Sequence, residues 1–324
     1  MLWLITLLSL AWQKVDSQKC LALTLEGGGS KGAYEAGVLY SLASSTSGVN
    51  FKWNAVTGIS IGSVNSGLVA QYPMGQELPM ANYMLNFWRS LNGSSSIWVD
   101  WTGGYASGLL FHSGLVNNAP AVELAKTWLP KLPQRNITVG STNLDLGDFG
   151  NFNETLGMAI IDAITASASI PFMFPPKIFE GYAWADGACI MNLDVFSAVQ
   201  RCLAVTPNQK DISVDMIFAG PVTPLKNETS FKTPDVLSRI YEIHSWDQST
   251  WYTYNAMKAY PNVNYRYSII PSQVVPGMLN FTKQAIEFDI QLGIKDGQNA
   301  LKGQSQAKEV VQELYKKARE IIIG

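Results

Sequence analysis

The segment between Cys20 and Ala70 runs twice through one pattern: a short apolar run, a glycine-rich turn, then an apolar stretch spaced by threes and fours. Cys20–Leu25, CLALTL, leads into EGGGSKG and then AYEAGVLYSLA. A second strand ending over Ala55–Thr57 leads into GISIG at Gly58–Gly62, and Ser63–Ala70 reads as the next helix. Strand, tight turn and helix in immediate succession, repeated, is the grammar of an α/β fold with a mainly parallel sheet.

The rest of the chain keeps that rhythm. Asn136–Thr142, Ile212–Ala219 and Val263–Ile270 are expected strands. Leu156–Ala168, Asp194–Ala204, Val236–Met257, a C-terminal helix ending near Asn299 and another over Gln306–Ile322 are expected helices. The Leu156–Ala168 helix should stop before Pro171, because the residue ahead of a proline leaves the α region. No repeat, low-complexity tract or linker interrupts the 324 residues, so residues 18–324 are expected to form one domain. Apolar residues make up 47% and charged ones 15%, with a net charge of −2 and no Lys/Arg run. Those numbers exclude a disordered chain and give no basis for a nucleic-acid partner. The run from Ala81 to His112 is rich in Phe, Trp and Tyr, and suits either a lipid-facing rim or lid or an aromatic core.

GGGSKG fits G-x-G-x-x-G on Gly27, Gly29 and Gly32. A dinucleotide fingerprint also needs an acid about twenty positions on to hold the ribose. Between Glu35 and Glu77 there is no Asp or Glu, so that reading fails. A phosphate loop fails as well, since Lys31 is followed by glycine and not by Ser or Thr. What remains is a row of backbone N–H groups at a helix N-terminus, suited to developing negative charge, as in an oxyanion hole. Ser60 stands at the second turn with Gly58 and Gly62 on either side, the setting of a nucleophile elbow.

A serine nucleophile needs a base, and the chain has two histidines, His112 and His244. The order Ser60, Asp186, His244 satisfies a conventional triad. That fold, however, places several strands ahead of its elbow, and here there is room for two. A carboxylate held in a dry site can take the proton instead. Asp186, at a strand end and followed by Gly187, is the candidate. The triad through His244 and a non-catalytic lipid-binding or storage protein remain open alternatives.

Taken in order, GGGSKG, GISIG, ASASIPFMFPP and the Asp186-Gly187-Ala188 motif resemble the patatin-like phospholipase family over roughly residues 21 to 300. The resemblance implies a three-layer α/β/α sandwich with a mainly parallel central sheet. It implies hydrolysis of phospholipid or other acyl-lipid esters at a membrane or micelle interface by a Ser60–Asp186 dyad, with no cofactor or metal. Gly27, Gly28 and Gly29, with the N–H of Ile61, would form the oxyanion hole. Lys31 stands where the family often has arginine and Glu26 where aspartate is frequent.

The apolar run Leu2–Trp12 is too short to span a bilayer and fits a secretory signal with cleavage after Ser17. A signal peptide over residues 1–17, no transmembrane segment in the mature chain, and a secreted or lumenal protein are therefore expected. Five N-x-S/T sequons, at Asn92, Asn136, Asn153, Asn227 and Asn280, fit that placement as glycosylation sites. Of the cysteines Cys20, Cys189 and Cys202, the pair Cys189–Cys202 closes the shortest loop and is the expected disulfide. Scarce histidine and the absence of C-x-x-C leave no basis for a metal site.

Overall fold

The computed structural model describes residues 19–220, 232–303 and 309–316. An eight-stranded mixed sheet forms its centre, in the order β5-β6-β3-β2-β1-β7-β8, with β4 on β3. Five strands are parallel: β1 (Cys20–Leu25), β2 (Ala55–Ile59), β3 (Asn136–Asn143), β7 (Ile212–Ile217) and β8 (Asn264–Ile269). The antiparallel strands β4 (Asp148–Asn153), β5 (Lys177–Phe179) and β6 (Tyr182–Asp186) extend the β3 side.

Side chains alternate across the central strands, as a pleated backbone requires. Leu21, Leu23 and Leu25 of β1 enter one core, while Cys20 and Ala22 enter the other. The first core is closed by α1 (Gly32–Ala43), α2 (Ile61–Ala70), α3 (Glu77–Ser90), α6 (Ile160–Ser167) and α9 (Lys283–Lys302). The second is closed by α7 (Val195–Leu203) and α8 (Thr233–Ala259). Each leucine so buried contributes about 2 kcal/mol. The sheet flanked by helices on both faces is the expected α/β/α architecture.

Local signals set several helix ends. Asp194 caps α7 by accepting the Ser197 N–H at 2.8 Å, and Thr282 caps α9 by accepting from Ala285. The helix expected from Leu156 instead divides at Gly157 (φ +58°), and regular α-helix begins at Ile160. The aromatic run from Ala81 also divides. Met84, Phe87 and Trp88 of α3 are core, whereas α4 (Gly104–Phe111) is exposed; α5 (Ala119–Trp128) follows it.

The disulfide differs from expectation. Cys20 is joined to Cys202, with Cα atoms 5.4 Å apart, and Cys189 is free. Loop length was the wrong criterion. Helix α7 runs back along the sheet, so Cys202 in its last turn lies beside the first residue of β1. Cys189 stays at the opposite end, in the turn after β6. Among the described residues no helix is long and apolar enough to cross a membrane.

Candidate active site

Strand β3 brings the two key residues together. Its Gly140 pairs with Ile59, the last residue of β2, and its next residue, Ser141, pairs with Asp186, the last of β6. Both pairings lie on one edge of β3, because β4 occupies the other along its length. Strands β2 and β6 therefore meet end to end, and Ser60 faces Asp186 across the junction. The Ser60 Oγ donates to Asp186 Oδ2 at 2.6 Å.

The turn at Ser60 is strained. Ser60 has φ +53° and ψ −125°, a region that L-residues avoid. A Cβ at Gly58 would come within 2.1 Å of the Gly62 carbonyl oxygen, and one at Gly62 within 2.4 Å of that of Leu25. Only glycine fits at either position. The Ser60 N–H donates to Ser167 Oγ at 2.9 Å, and Ser167 Oγ donates to the Gly140 carbonyl at 2.6 Å. Ser63 holds the Ser60 carbonyl through both its N–H and its hydroxyl.

Asp186 is fully buried, and burial pushes its carboxyl up to about 6 from the usual carboxylate range. The Ser60 hydroxyl and the Ala188 N–H, on Oδ2 and Oδ1, oppose that shift without cancelling it. The buried Tyr241 hydroxyl also favours the charged form, although it makes no hydrogen bond of normal geometry. The Asp186 backbone is fixed on both sides, its N–H to the Ser169 carbonyl and its own carbonyl to Thr142 Oγ1. Gly187 passes against the Gly140 carbonyl, closing the junction from below.

No histidine enters this arrangement. His244 is exposed, with its Nε2 at 2.9 Å from the Cys189 carbonyl, and His112 stacks on Trp101. The hydroxyl–carboxylate contact is direct, which leaves the His244 triad without its geometry.

The glycine loop lies against Ser60. Gly28 and Gly29 direct N–H groups that no acceptor among the described residues takes up, and Ile61 opens α2. Gly27 departs from the expected donor set, because its N–H donates to the Asn192 carbonyl at 3.1 Å. Glu26 and Asn192 pin the loop: the Glu26 carboxylate accepts from the Ala219 N–H and from Asn192, which also donates to the Gly27 carbonyl. Burial pushes Glu26 up to about 7, against hydrogen bonds and the nearby Lys31 that lower it. Lys31 reaches Glu242 at 3.7 Å. Sequence reasoning missed Ser167, Asn192 and Tyr241. The Ala-Ser stretch ahead of Pro171 was a signal for the first, and nothing local marks the other two.

Two cavities meet at Ser60. One, of about 400 Å³, brings the polar side chains of Glu26, Lys31, Asn192 and Glu242 together with Tyr241, Trp246 and Met278. The other, of about 720 Å³, is apolar and includes Ile61, Val64, Phe87, Ile97, Ile170 and Phe281. No group of three or more His, Cys, Asp or Glu among the described residues is placed to hold a metal ion.

The chain is similar to several known proteins. The chain is 25% identical over 238 residues, 71% of its length, to the lysophospholipase NTE1 of Pyricularia oryzae, covering 14% of that protein. It is 26% identical over 223 residues, 62% of its length, to the cUMP-AMP-activated phospholipase of Escherichia coli, covering 65% of it. The chain thus spans less than two thirds of either relative. The solved structure of VipD from Legionella pneumophila aligns with 95% of this chain and 75% of its own, at 12% identity and a TM-score of 0.41.

The expectation of a secreted or lumenal protein does not survive this comparison. The relatives are a lysophospholipase and a phospholipase activated by cUMP-AMP, their kinship gives secretion no support, and the placement is withdrawn. The signal peptide expected over residues 1–17 lies outside the described residues, as does Asn227. The other sequons lose the argument that made them glycosylation sites: Asn136 opens β3, Asn153 caps a turn through Thr155, and Asn92 and Asn280 are exposed. Residues 23–199, more than half of the chain, match the patatin-like phospholipase family, and the chain belongs to it.

Proposed function

We propose that this chain is a lipid acyl hydrolase of phospholipase A type, with Ser60 as nucleophile and Asp186 as base. The observation that carries the reading is the direct 2.6 Å contact between Ser60 Oγ and a buried carboxylate whose pKa is raised to about 6. A carboxylate so raised is a better proton acceptor than an exposed one, yet is largely ionised at neutral pH.

The chemistry runs in two steps. Ser60 Oγ attacks the ester carbonyl as its proton passes to Asp186 Oδ2. The N–H groups of Gly28, Gly29 and Ile61 receive the oxyanion, while Gly27 serves the loop by its bond to Asn192. The tetrahedral adduct collapses, the alcohol leaves with the proton from Asp186, and an acyl-serine remains. Water then attacks with Asp186 again as base, which releases the fatty acid and restores the Ser60 hydroxyl. The apolar cavity suits the acyl chain, and the cavity that presents Glu26, Lys31 and Asn192 suits the alcohol portion. Lipid would reach the site from a membrane or micelle interface.

A panel of acyl esters tests the reading, with wild type and Ser60→Ala side by side and a serine-directed fluorophosphonate as label. Hydrolysis and labelling by wild type alone support it. A folded wild-type protein that does neither is a non-catalytic relative of the fold.

A further inference from the structure

Helix α4 carries the most exposed apolar side chains near the apolar cavity. Leu109, Leu110 and Phe111 are 74%, 69% and 79% exposed, and Phe172, on a neighbouring turn, is 69% exposed. We propose that α4 and the Phe172 turn form the surface by which the protein docks onto an uncharged lipid surface, either zwitterionic or neutral. The inference rests on the lipid-hydrolase reading and names where its substrate enters.

Folding does not require these side chains to be apolar. The α4 segment is held by other groups. Gly108 lies so close to Leu115 that a Cβ there would come within 2.3 Å of the Leu115 carbonyl oxygen. Trp101 stacks flat on His112 at 3.8 Å and donates its indole N–H to the Gly114 carbonyl at 3.0 Å. Leu109, Leu110 and Phe111 contribute nothing to that framework and point their apolar area at solvent, a disposition that marks an interaction surface.

Phe172 is held outward at a conformational cost. Its φ is +68°, unusual for a bulky residue, and its carbonyl accepts the Leu115 N–H at 2.8 Å, while Val116 N–H reaches the Met173 carbonyl at 3.1 Å. These two bonds join the Phe172 turn to the segment that follows α4, so the exposed rings and leucines belong to one structural unit.

That unit is continuous with the cavity at Ser60. Asn118, Ala121 and Val122, just beyond it in the chain, line the apolar cavity, as do Ile170 and Phe174 on either side of the Phe172 turn. An acyl chain leaving a lipid surface at α4 would pass directly into that cavity. Charge selects the kind of surface. From Trp101 to Val122 there is no Asp, Glu, Lys or Arg. The segment therefore offers no cation to an anionic headgroup, and its pull is apolar burial alone.

Co-sedimentation with phosphatidylcholine vesicles tests this, using Ser60→Ala protein so that the vesicles are not consumed. The full chain is compared with the same chain carrying Leu109→Ser, Leu110→Ser and Phe111→Ser, and separately with Phe172→Ser. The triple variant should partition at least about tenfold more weakly, and Phe172→Ser by a smaller factor. With Ser60 intact, all variants should hydrolyse a short-chain monomeric ester at the wild-type rate, which also certifies their folding. Unchanged partition of the triple variant overturns the inference, and so does binding confined to anionic vesicles. A dimer in solution that the triple variant converts to monomer would assign the surface to a second copy of the chain instead. If no ester is hydrolysed by any form, the hydrolase reading fails, while the vesicle partition still decides the docking surface.

Discussion

Asp186 and Asp215 are both completely buried, and burial raises both above the ordinary carboxylate range, yet their surroundings differ in kind. Asp215, in the middle of β7, accepts the Trp53 indole N–H at 2.9 Å and the Arg266 Nε–H at 2.8 Å, with a second contact from the same guanidinium. Asp186 has a hydroxyl and a backbone amide, and no cation contributes to its environment. A buried charge matched by a guanidinium ties β7 to β8. One given a hydroxyl and an amide but no cation keeps a proton affinity that chemistry can use.

The sharpest break in that contrast is between activity and stability. Ser60→Ala should lower ester hydrolysis by at least about 10³-fold, measured on the ester panel, and Asp186→Asn by a comparable factor of about 10³ or more. Retention of most activity by Asp186→Asn would remove the functional half of the comparison. Asp215→Asn should do the reverse. It strands Arg266 without its partner and should cost about 3 kcal/mol in urea unfolding, while fluorophosphonate labelling of the folded protein persists.

A pH series sharpens the contrast further. Hydrolysis should rise with pH through about 6, as Asp186 loses its proton. Stability should move the other way. The folded protein holds protons on Asp186 (to about 6), Glu26 and Asp289 (each to about 7) that the unfolded chain has already released. These groups therefore support folding fully below the unfolded carboxylate range, and that support fades as pH rises from about 4 to about 7. Thermal unfolding midpoints across that window should fall, and less steeply in Asp186→Asn. The smallest expected effect is that of His244→Ala, within about threefold of wild-type hydrolysis, since its ring touches a backbone carbonyl and not the hydroxyl. A loss comparable to that of Ser60→Ala would restore the histidine triad.

Much of this was legible in the sequence, for reasons that differ by residue. The parallel strands β1, β2 and β7 are largely apolar runs bounded by turns, β3 and β8 show as strands through their β-branched or alternating residues, and the elbow announces itself because only glycine tolerates its close approaches. Strands β4, DFGNFN, and β5, KIF, are too short and too polar or irregular to signal, and exist because β3 and β6 pair with them. Asp186 was legible as an Asp-Gly at a strand end, in the company of the other motifs. Asn192 and Tyr241 act through contacts made only after the sheet has formed, so no local pattern marks them, whereas Ser167 lies in the Ala-Ser stretch ahead of Pro171. The disulfide was misread because sequence separation says nothing about which end of the sheet a helix returns to. The aromatic run misled by its uniformity: half of it supports the core and half faces out.

The junction on β3 has a further consequence. Ser60 and Asp186 are 126 residues apart in the chain, but their separation in space is set by two neighbouring residues of one strand. Beyond α2, the segment that carries α3, α4 and α5 can change its outward-facing length and chemistry without moving either side chain. What such a plan admits can thus change while the Ser60–Asp186 contact stays where the sheet puts it.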